Sequence, residues 1–235
     1  MKPVVTKLLG SVVGQAEQFP ATYASLPDET KYLCMVDLVG SSNHRILNGA
    51  KLGYVRGETF FALIREVISR CPSVRLIKEM GDAVLLTADG LRPLLETVII
   101  VTQVAHLLRV THPNEPFPFG VRAGLGAGVI KKIIRPHEDF LGTPIDELAR
   151  IMNVRSETSN ILIDDDAYRN NISWWKEYDE FLSVSDVIKL PVTNSKGMTK
   201  NIYYRELVVS EAEFQDFNEN FIDWREEKRN IQADV

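Results

Sequence analysis

Apolar residues recur at helical spacing in two long stretches of the chain. In residues 54–70, intervals of three and four separate the apolar positions, namely Val55, Phe60, Leu63, Ile64, Val67 and Ile68. This pattern predicts a helix that buries one face. Residues 91–111 are almost continuously Leu, Ile and Val, which predicts a long and well-buried helix. A third helix is expected to begin at Thr143 and Pro144, because Thr can cap a helix and Pro is tolerated in its first turn.

Short β-prone runs lie between and after these helices, at residues 32–37, 74–78, 83–87, 119–134, 160–163, 182–190 and 201–207. The second and third runs flank the sequence Glu-Met-Gly-Asp and predict a hairpin, and the last two predict another. Glycines 120, 124, 126 and 128 in the fourth run indicate that a second backbone or a ligand approaches one face of that strand closely. Helices interleaved with hairpins predict an α+β fold, with a mainly antiparallel sheet covered by helices.

Composition shifts at both ends divide the chain into three predicted parts. Residues 1–30 form a helical arm and linker, in which Pro20 and Pro27 are expected to break a weakly amphipathic helix. Residues 31–208 form the main domain. Residues 209–235 carry charged and aromatic residues and predict a C-terminal helix.

The overall charge and apolar content narrow the class of partner. The 235 residues carry a net charge of −5, and no run of Lys or Arg exceeds two, so nucleic acid is not an expected partner. Uninterrupted apolar runs are far shorter than the roughly 20 residues of a membrane-spanning helix, and the N-terminus lacks a signal-peptide pattern. We therefore expect a cytoplasmic protein without membrane contact. Cys34 and Cys71 have no metal-ligand spacing and are expected to be reduced thiols.

A single carboxylate, Asp37, ends the apolar strand at residues 32–37, and a turn of Gly40, Ser41 and Ser42 follows. A buried carboxylate costs several kcal/mol unless it is paired or bound to a metal ion. The turn can aim backbone N–H groups at an anion, as other glycine-containing loops do with phosphates. A metal-binding carboxylate beside a phosphate cradle predicts a nucleotide site. The alternative is an Asp that ends a strand and caps the following turn.

Further charged residues lie at a hairpin turn and along a strand and helix, namely Lys78, Asp82, Asp139, Asp146 and Arg150. Two carboxylates from adjacent strands can hold one or two Mg²⁺ or Mn²⁺ ions, an arrangement that suits in-line attack on phosphorus. A cation such as Arg150 can stabilise the charge that develops in the transition state.

Four motifs in this order resemble the class III nucleotidyl cyclases. They are Met-Val-Asp-Leu-Val-Gly-Ser-Ser at 35–42, Lys-Glu-Met-Gly-Asp at 78–82, Val-Arg-Ala-Gly-Leu-Gly-Ala-Gly-Val at 121–129 and Asp-Phe-Leu-Gly-Thr-Pro-Ile-Asp-Glu-Leu-Ala-Arg at 139–150. The resemblance covers roughly residues 31–207 and implies a ferredoxin-like core. It also implies a head-to-tail homodimer with shared active sites, which converts a nucleoside triphosphate to a 3′,5′-cyclic nucleotide and pyrophosphate.

The resemblance implies a role for each matched position. Asp37 and Asp82 would bind two Mg²⁺ or Mn²⁺ ions with help from the Leu38 carbonyl, and residues 39–42 (Val39, Gly40, Ser41 and Ser42) would cradle phosphate. Lys78 and Asp139 would contact the base, with Tyr32 and Met80 as candidates for bulk beside it. Arg150 would stabilise the transition state, and Asp146 would lie at the ribose. In each site the metal carboxylates would come from one subunit and Arg150 from the other.

Two positions depart from the family pattern. Asp146 replaces the usual ribose-orienting Asn and would add negative charge near a triphosphate, and Gly126 lies where the family often has His. Lys78 and Asp139 suit adenine, but the same pair can also hold cytosine or uracil.

The small architecture and Asp146 resemble the pyrimidine cyclases of Pycsar antiphage systems, which make cyclic UMP or cyclic CMP for a separate effector protein. An adenylate cyclase is the first alternative. The second is a catalytically inactive nucleotide-binding regulatory module, which the presence of both carboxylates and Arg150 disfavours.

Overall fold

The computed structural model describes residues 11–114, 119–135, 137–153, 160–175, 178, 182–191 and 201–209. The helices whose two ends are described are α1 (Phe19–Ser25), α2 (Ser41–Ser69), α3 (Leu91–Thr111), α4 (Thr143–Asn153), α5 (Asp165–Arg169) and α6 (Ile172–Trp175). The strands are β1 (Asp28–Leu38), β2 (Val74–Met80), β3 (Ala83–Ala88), β4 (Val121–Arg135), β5 (His137–Leu141), β6 (Ile161–Asp164), β7 (Leu182–Val184), β8 (Ile188–Leu190) and β9 (Ile202–Val209).

The strands form one sheet in the order β2-β3-β1-β4-β6-β9-β7, with β5 paired to β4 and β8 paired to β9. Strands β4 and β6 run parallel, and the other pairs are antiparallel. The predicted α+β fold with a mainly antiparallel sheet is confirmed. Strand β1 lies between β3 and β4, so the sequence that carries Asp37 is central.

Alternate residues of β1 enter two separate cores because side chains of a strand alternate between faces. Cys34, Val36 and Leu38 belong to the main core, with residues of α2 and α3. Leu33 packs on the other face with a smaller cluster that includes Leu148 of α4. Both cysteines are buried free thiols, as expected.

Helix α3 is, within the described ranges, the helix long and apolar enough to cross a membrane. Its residues Leu94, Leu95 and Val98 are fully buried and belong to the main core. The apolar sequence of α3 is therefore explained by packing against the sheet.

Several element boundaries differ from those expected. Helix α2 begins at Ser41 and includes the polar residues 41–51, with a kink at Gly49, whose φ of 87° breaks the helical path. A positive φ carries little steric cost for glycine. As expected, the N-terminal helical stretch is interrupted near Pro20: residues 11–16 are helical, a turn follows at 17–18, and α1 begins with Pro20 in its first turn, where it has no N–H to leave unpaired. The run at 182–190 is two short strands, each paired to β9.

The glycines of β4 make room for α4. A Cβ placed at Gly124 would lie 2.9 Å from Met152 Cγ, and one at Gly126 would lie 3.1 Å from Leu148 Cδ2. Pro144 lies against Gly128 in the same way. The predicted close approach at this strand is therefore made by side chains of α4, spaced four residues apart.

Candidate functional site at the end of strand β1

Asp37 is almost buried, with 7% of its surface exposed, and lies directly opposite Arg122 of β4. The Arg122 Nε donates a hydrogen bond to Asp37 Oδ2 at 2.7 Å, and its Nη2 donates to the same oxygen. Arg122 Nη1 donates to the Met152 carbonyl at 3.0 Å, at the end of α4. The cation that a buried Asp37 was expected to need is supplied within the protein by Arg122, which also ties β4 to α4.

Asp82 lies in the turn between β2 and β3, where Gly81 has a φ of +71°. The Leu38 N–H donates to the Asp82 carbonyl oxygen at 3.1 Å. The Ser41 hydroxyl donates to Asp82 Oδ2. One backbone bond and one side-chain bond therefore fix the Asp82 turn against the end of β1.

The two carboxylates are close enough to influence each other electrostatically. Burial raises the pKa of Asp37, and the negative charge of Asp82 raises it further, while Arg122 acts in the opposite direction. Like charges that share a site oppose each other's ionisation. Because Asp37 lies opposite Ala83, the residue after Asp82, in the sheet, the structure brings together the two residues that the sequence nominated as metal ligands.

The donor atoms of this pair suit a hard divalent cation. Mg²⁺ takes oxygen ligands and is commonly held by one or two carboxylates together with substrate phosphates and waters. No cluster of three or more His, Cys, Asp or Glu that could hold a metal ion occurs among the residues with described positions. Asp37 and Asp82 supply two carboxylates of the kind that holds such an ion, with waters or substrate phosphates as its other ligands.

The turn after β1 is more constrained than a free phosphate cradle. The Val39 N–H donates to the Gly120 carbonyl at 3.0 Å, and the Val39 carbonyl accepts from Arg56 Nη2 at 3.3 Å. The Ser41 hydroxyl is bonded to Asp82. The Val39 N–H, one of the backbone groups of the predicted phosphate cradle, already has a partner in the protein, while the cradle formed by the backbone of Gly40, Ser41 and Ser42 stays a prediction.

Lys78 and Asp139 form an ion pair with 2.7 Å between Lys78 Nζ and Asp139 Oδ1, and both side chains remain partly exposed. The pair joins β2 to β5, which are not neighbours in the sheet. Tyr32 is not brought to this pair, because it packs against the main core, on the face of β1 opposite to that of Asp37. Five residues separate Tyr32 from Asp37, and an odd separation in a strand places side chains on opposite faces.

Asp146 and Arg150 lie on the outer side of α4. The inner side is the row of Pro144, Leu148 and Met152 that packs on the β4 glycines. A position two residues further along is rotated by roughly 200° about the helix axis, which turns Asp146 and Arg150 away from β4. Asp146 is exposed and Arg150 is partly exposed. One chain therefore does not direct these two residues at its own Asp37.

Sequence reasoning assigned no role to Arg122 and gave Ser41 a different one. The signal for Arg122 was a basic residue at a strand position otherwise occupied by apolar residues and glycines. Its pairing with Asp37 needs the register between β1 and β4, which the sequence does not display. Ser41 was grouped with Gly40 and Ser42 because the three residues form one turn.

Comparisons with known proteins identify proteins of similar sequence and structure. The chain is 29% identical over 123 residues to a pH-sensitive adenylate cyclase of Mycobacterium tuberculosis, a match that covers 52% of this chain and 28% of that protein. The adenylyl cyclase CyaB from P. aeruginosa superposes with a TM-score of 0.61 at 16% identity, covering 79% of this chain and 98% of that one. An adenylate/guanylate cyclase/hydrolase from Silicibacter pomeroyi superposes with a TM-score of 0.58 at 17% identity, covering 79% and 100%. No family model matches the chain.

The chain has the fold of class III adenylate and guanylate cyclase catalytic domains, so the resemblance inferred from its motifs is confirmed for the fold. The sequence match spans little more than a quarter of the mycobacterial protein.

Proposed function

We propose that this protein is a nucleotidyl cyclase, which converts a nucleoside triphosphate to a 3′,5′-cyclic nucleotide and pyrophosphate. The observation that carries the proposal is the convergence of Asp37 and Asp82 at the end of β1, where Asp37 pairs with Ala83 and the Leu38 N–H binds the Asp82 carbonyl, within a cyclase fold. These carboxylates would hold Mg²⁺ or Mn²⁺, which would activate the 3′-hydroxyl and offset charge on the triphosphate. Lys78 and Asp139 would read the base, with the carboxylate accepting from an N–H and the ammonium donating to an acceptor.

The active enzyme is proposed to be a head-to-tail homodimer. Asp146 and Arg150 lie on the outer side of α4, away from β4 and from the Asp37 of the same chain. A second copy can present its own Arg150 to a site whose metal ligands are Asp37 and Asp82. Arg150 would then stabilise the charge that develops on the phosphate during cyclisation.

We place the product among the cyclic pyrimidine nucleotides, cyclic UMP or cyclic CMP, acting in antiphage defence through a separate effector protein in the cytoplasm. The support is Asp146 in the place of the usual Asn. Production of cyclic AMP is the alternative. It is supported by the Lys78 and Asp139 pair, which suits adenine, and by the match to an adenylate cyclase of M. tuberculosis. A catalytically inactive nucleotide-binding module is disfavoured, because both carboxylates and Arg150 are present.

Incubation with each of the four nucleoside triphosphates and Mn²⁺, followed by mass spectrometry of the products, tests this function. We expect a cyclic pyrimidine nucleotide and pyrophosphate in equal amounts. Asp82→Asn is the matched control, because it keeps the side-chain shape and removes the charge. Cyclic AMP as the main product would replace the pyrimidine assignment, and no cyclic product from any of the four would overturn the cyclase assignment.

Asp146→Asn should retain most of the turnover. Its carboxylate is exposed, and an amide oxygen can still accept a hydrogen bond while carrying no charge near the triphosphate. Steady-state kcat and KM on the preferred nucleotide at saturating Mn²⁺ measure the effect, with Asp146→Ala as the variant that removes the acceptor. A fall in kcat of roughly 10²-fold or more in Asp146→Asn, with KM unchanged, would show that the charge itself is required.

A further inference from the structure

We propose that Ser41 is a positioning residue for the metal ligand Asp82, an inference that rests on the metal-binding role of Asp82 in the proposed function. Ser41 is the first residue of α2 and only 8% of its surface is exposed. Its hydroxyl donates a hydrogen bond to Asp82 Oδ2 across 41 residues of sequence. The bond reaches one of the two atoms through which Asp82 can bind a cation.

The surrounding backbone holds Ser41 at a fixed place relative to β1. Gly40, immediately before it, has a φ of 68°, in the left-handed region, and its carbonyl accepts from the His44 N–H at 2.9 Å. The preceding residue, Val39, is held on both sides by Gly120 and Arg56. The hydroxyl of Ser41 is thus carried by a turn whose conformation is set by other contacts.

The hydrogen bond constrains the carboxylate of Asp82 beyond what its backbone does. The bond from the Leu38 N–H to the Asp82 carbonyl fixes the chain of the turn, but it leaves the side-chain torsions of Asp82 free. A donor on Oδ2 selects one orientation of the carboxylate, so less rotational freedom remains to be lost when a cation binds. Groups that orient metal ligands in this way typically contribute 10- to 100-fold to metal affinity.

Ser42 supplies a matched control. It is the next residue of the same turn and its side chain is exposed. The substitution Ser42→Ala therefore removes the same atom from the same helix terminus while leaving the bond to Asp82 intact.

The test measures Mn²⁺ affinity by electron paramagnetic resonance on the full chain without nucleotide. Ser41→Thr keeps the hydroxyl, and Ser41→Val has nearly the same shape as Ser41→Thr but lacks the hydroxyl. We expect roughly tenfold weaker Mn²⁺ binding in Ser41→Val and Ser41→Ala, with wild-type affinity in Ser41→Thr and Ser42→Ala. Circular dichroism checks folding, and Ser41→Ala carries the test if the larger residues disturb α2.

A double variant separates positioning from other roles of the hydroxyl. If Ser41 acts by orienting Asp82, then Ser41→Ala should weaken Mn²⁺ binding much less in an Asp82→Asn background than in wild type. If Ser41→Ala lowers Mn²⁺ affinity as much in the Asp82→Asn background as in wild type, the inference is overturned, because Ser41 would then act on the ion directly. Equal affinities in Ser41→Thr and Ser41→Val would also overturn it, as would a wild-type protein that binds no Mn²⁺.

The two proposals fail in different ways. Wild-type turnover with no effect of Ser41→Val on Mn²⁺ binding would leave the cyclase function standing and remove the role of Ser41. A protein that makes no cyclic nucleotide but shows the expected differences in Mn²⁺ affinity would remove the cyclase function and leave the role of Ser41 standing.

Discussion

A mixture of inactive Asp82→Ala and inactive Arg150→Ala subunits should regain cyclase activity. In a shared-site dimer, one site of the heterodimer carries both defects and the other carries neither. Random exchange of equal amounts makes about half of the dimers mixed, so roughly a quarter of the wild-type sites should be restored. Turnover of the mixture, measured after subunit exchange, checks this expectation.

The matched control for this experiment is a mixture of Asp82→Ala with Asp37→Ala. Both residues are proposed metal ligands of the same subunit, at the end of β1 and in the adjacent turn. Every site of that heterodimer would therefore keep one defect, and no activity should return. Equal activity from the two mixtures, or none from the first once exchange is verified, would contradict the shared site.

Asp37→Asn should reduce turnover by at least about 10²-fold, as expected for a group that supports charge stabilisation in the reaction. The protein treated with a chelator should nevertheless be as stable as wild type or more stable. Arg122 can still donate to the amide oxygen of Asn, and the cost of holding a buried carboxylate ionised is removed. Melting temperatures with and without Mn²⁺ measure both effects, since Mn²⁺ should stabilise wild type more than the variant.

The stability difference should depend on pH in a defined direction. Burial raises the folded-state pKa of Asp37, so the folded protein holds this proton more tightly than the unfolded chain does. The Asp37 contribution is therefore favourable at low pH and is lost as pH rises from about 4 through the folded-state pKa. The stability of Asp37→Asn relative to wild type should thus increase toward neutral pH, and this advantage should disappear near pH 4.

The matched control for the pH series is Asp89→Asn, whose side chain is 93% exposed and whose pKa is lowered by its bond to Lys31. It should show no comparable gain in stability toward neutral pH. A melting temperature for Asp37→Asn well below that of wild type at neutral pH would contradict the expectation. It would mean that the ion pair with Arg122 outweighs the cost of burial.

The sequence predicted those features that depend on local pattern. Helical spacing located the main part of α2 and all of α3, and the Glu-Met-Gly-Asp turn located the hairpin that carries Asp82. The mostly polar residues 41–51 did not reveal the first turns of α2, because their large apolar side chains, Ile46 and Leu47, are exposed and form no buried face, and Gly49 interrupts the helix. Within the predicted N-terminal arm, residues 11–16 are helical and residues 1–10 lie outside the described residues. The predicted C-terminal helix at 209–235 also lies outside them, except for Val209, which ends β9.

The candidate site needed contacts between distant segments, and these divide into two kinds. Lys78 and Asp139 were nominated together because the motifs resemble a family, and the structure joins them in an ion pair. The pairing of Arg122 with Asp37 depends on strand register across 85 residues. The pairing of Ser41 with Asp82 depends on where the turn after β1 places one hydroxyl. Neither of these two contacts leaves a periodic trace in the sequence.

In α4, the residues that pack the helix against β4 are different from the charged residues on its outer side. Pro144, Leu148 and Met152 pack the helix on glycines through apolar contacts, whereas the Asp146 side chain is exposed. Substitutions at Asp146 can therefore change the charge presented to a ligand while the helix keeps its height above the sheet. A scaffold of this kind lets selection alter substrate preference at little cost to folding.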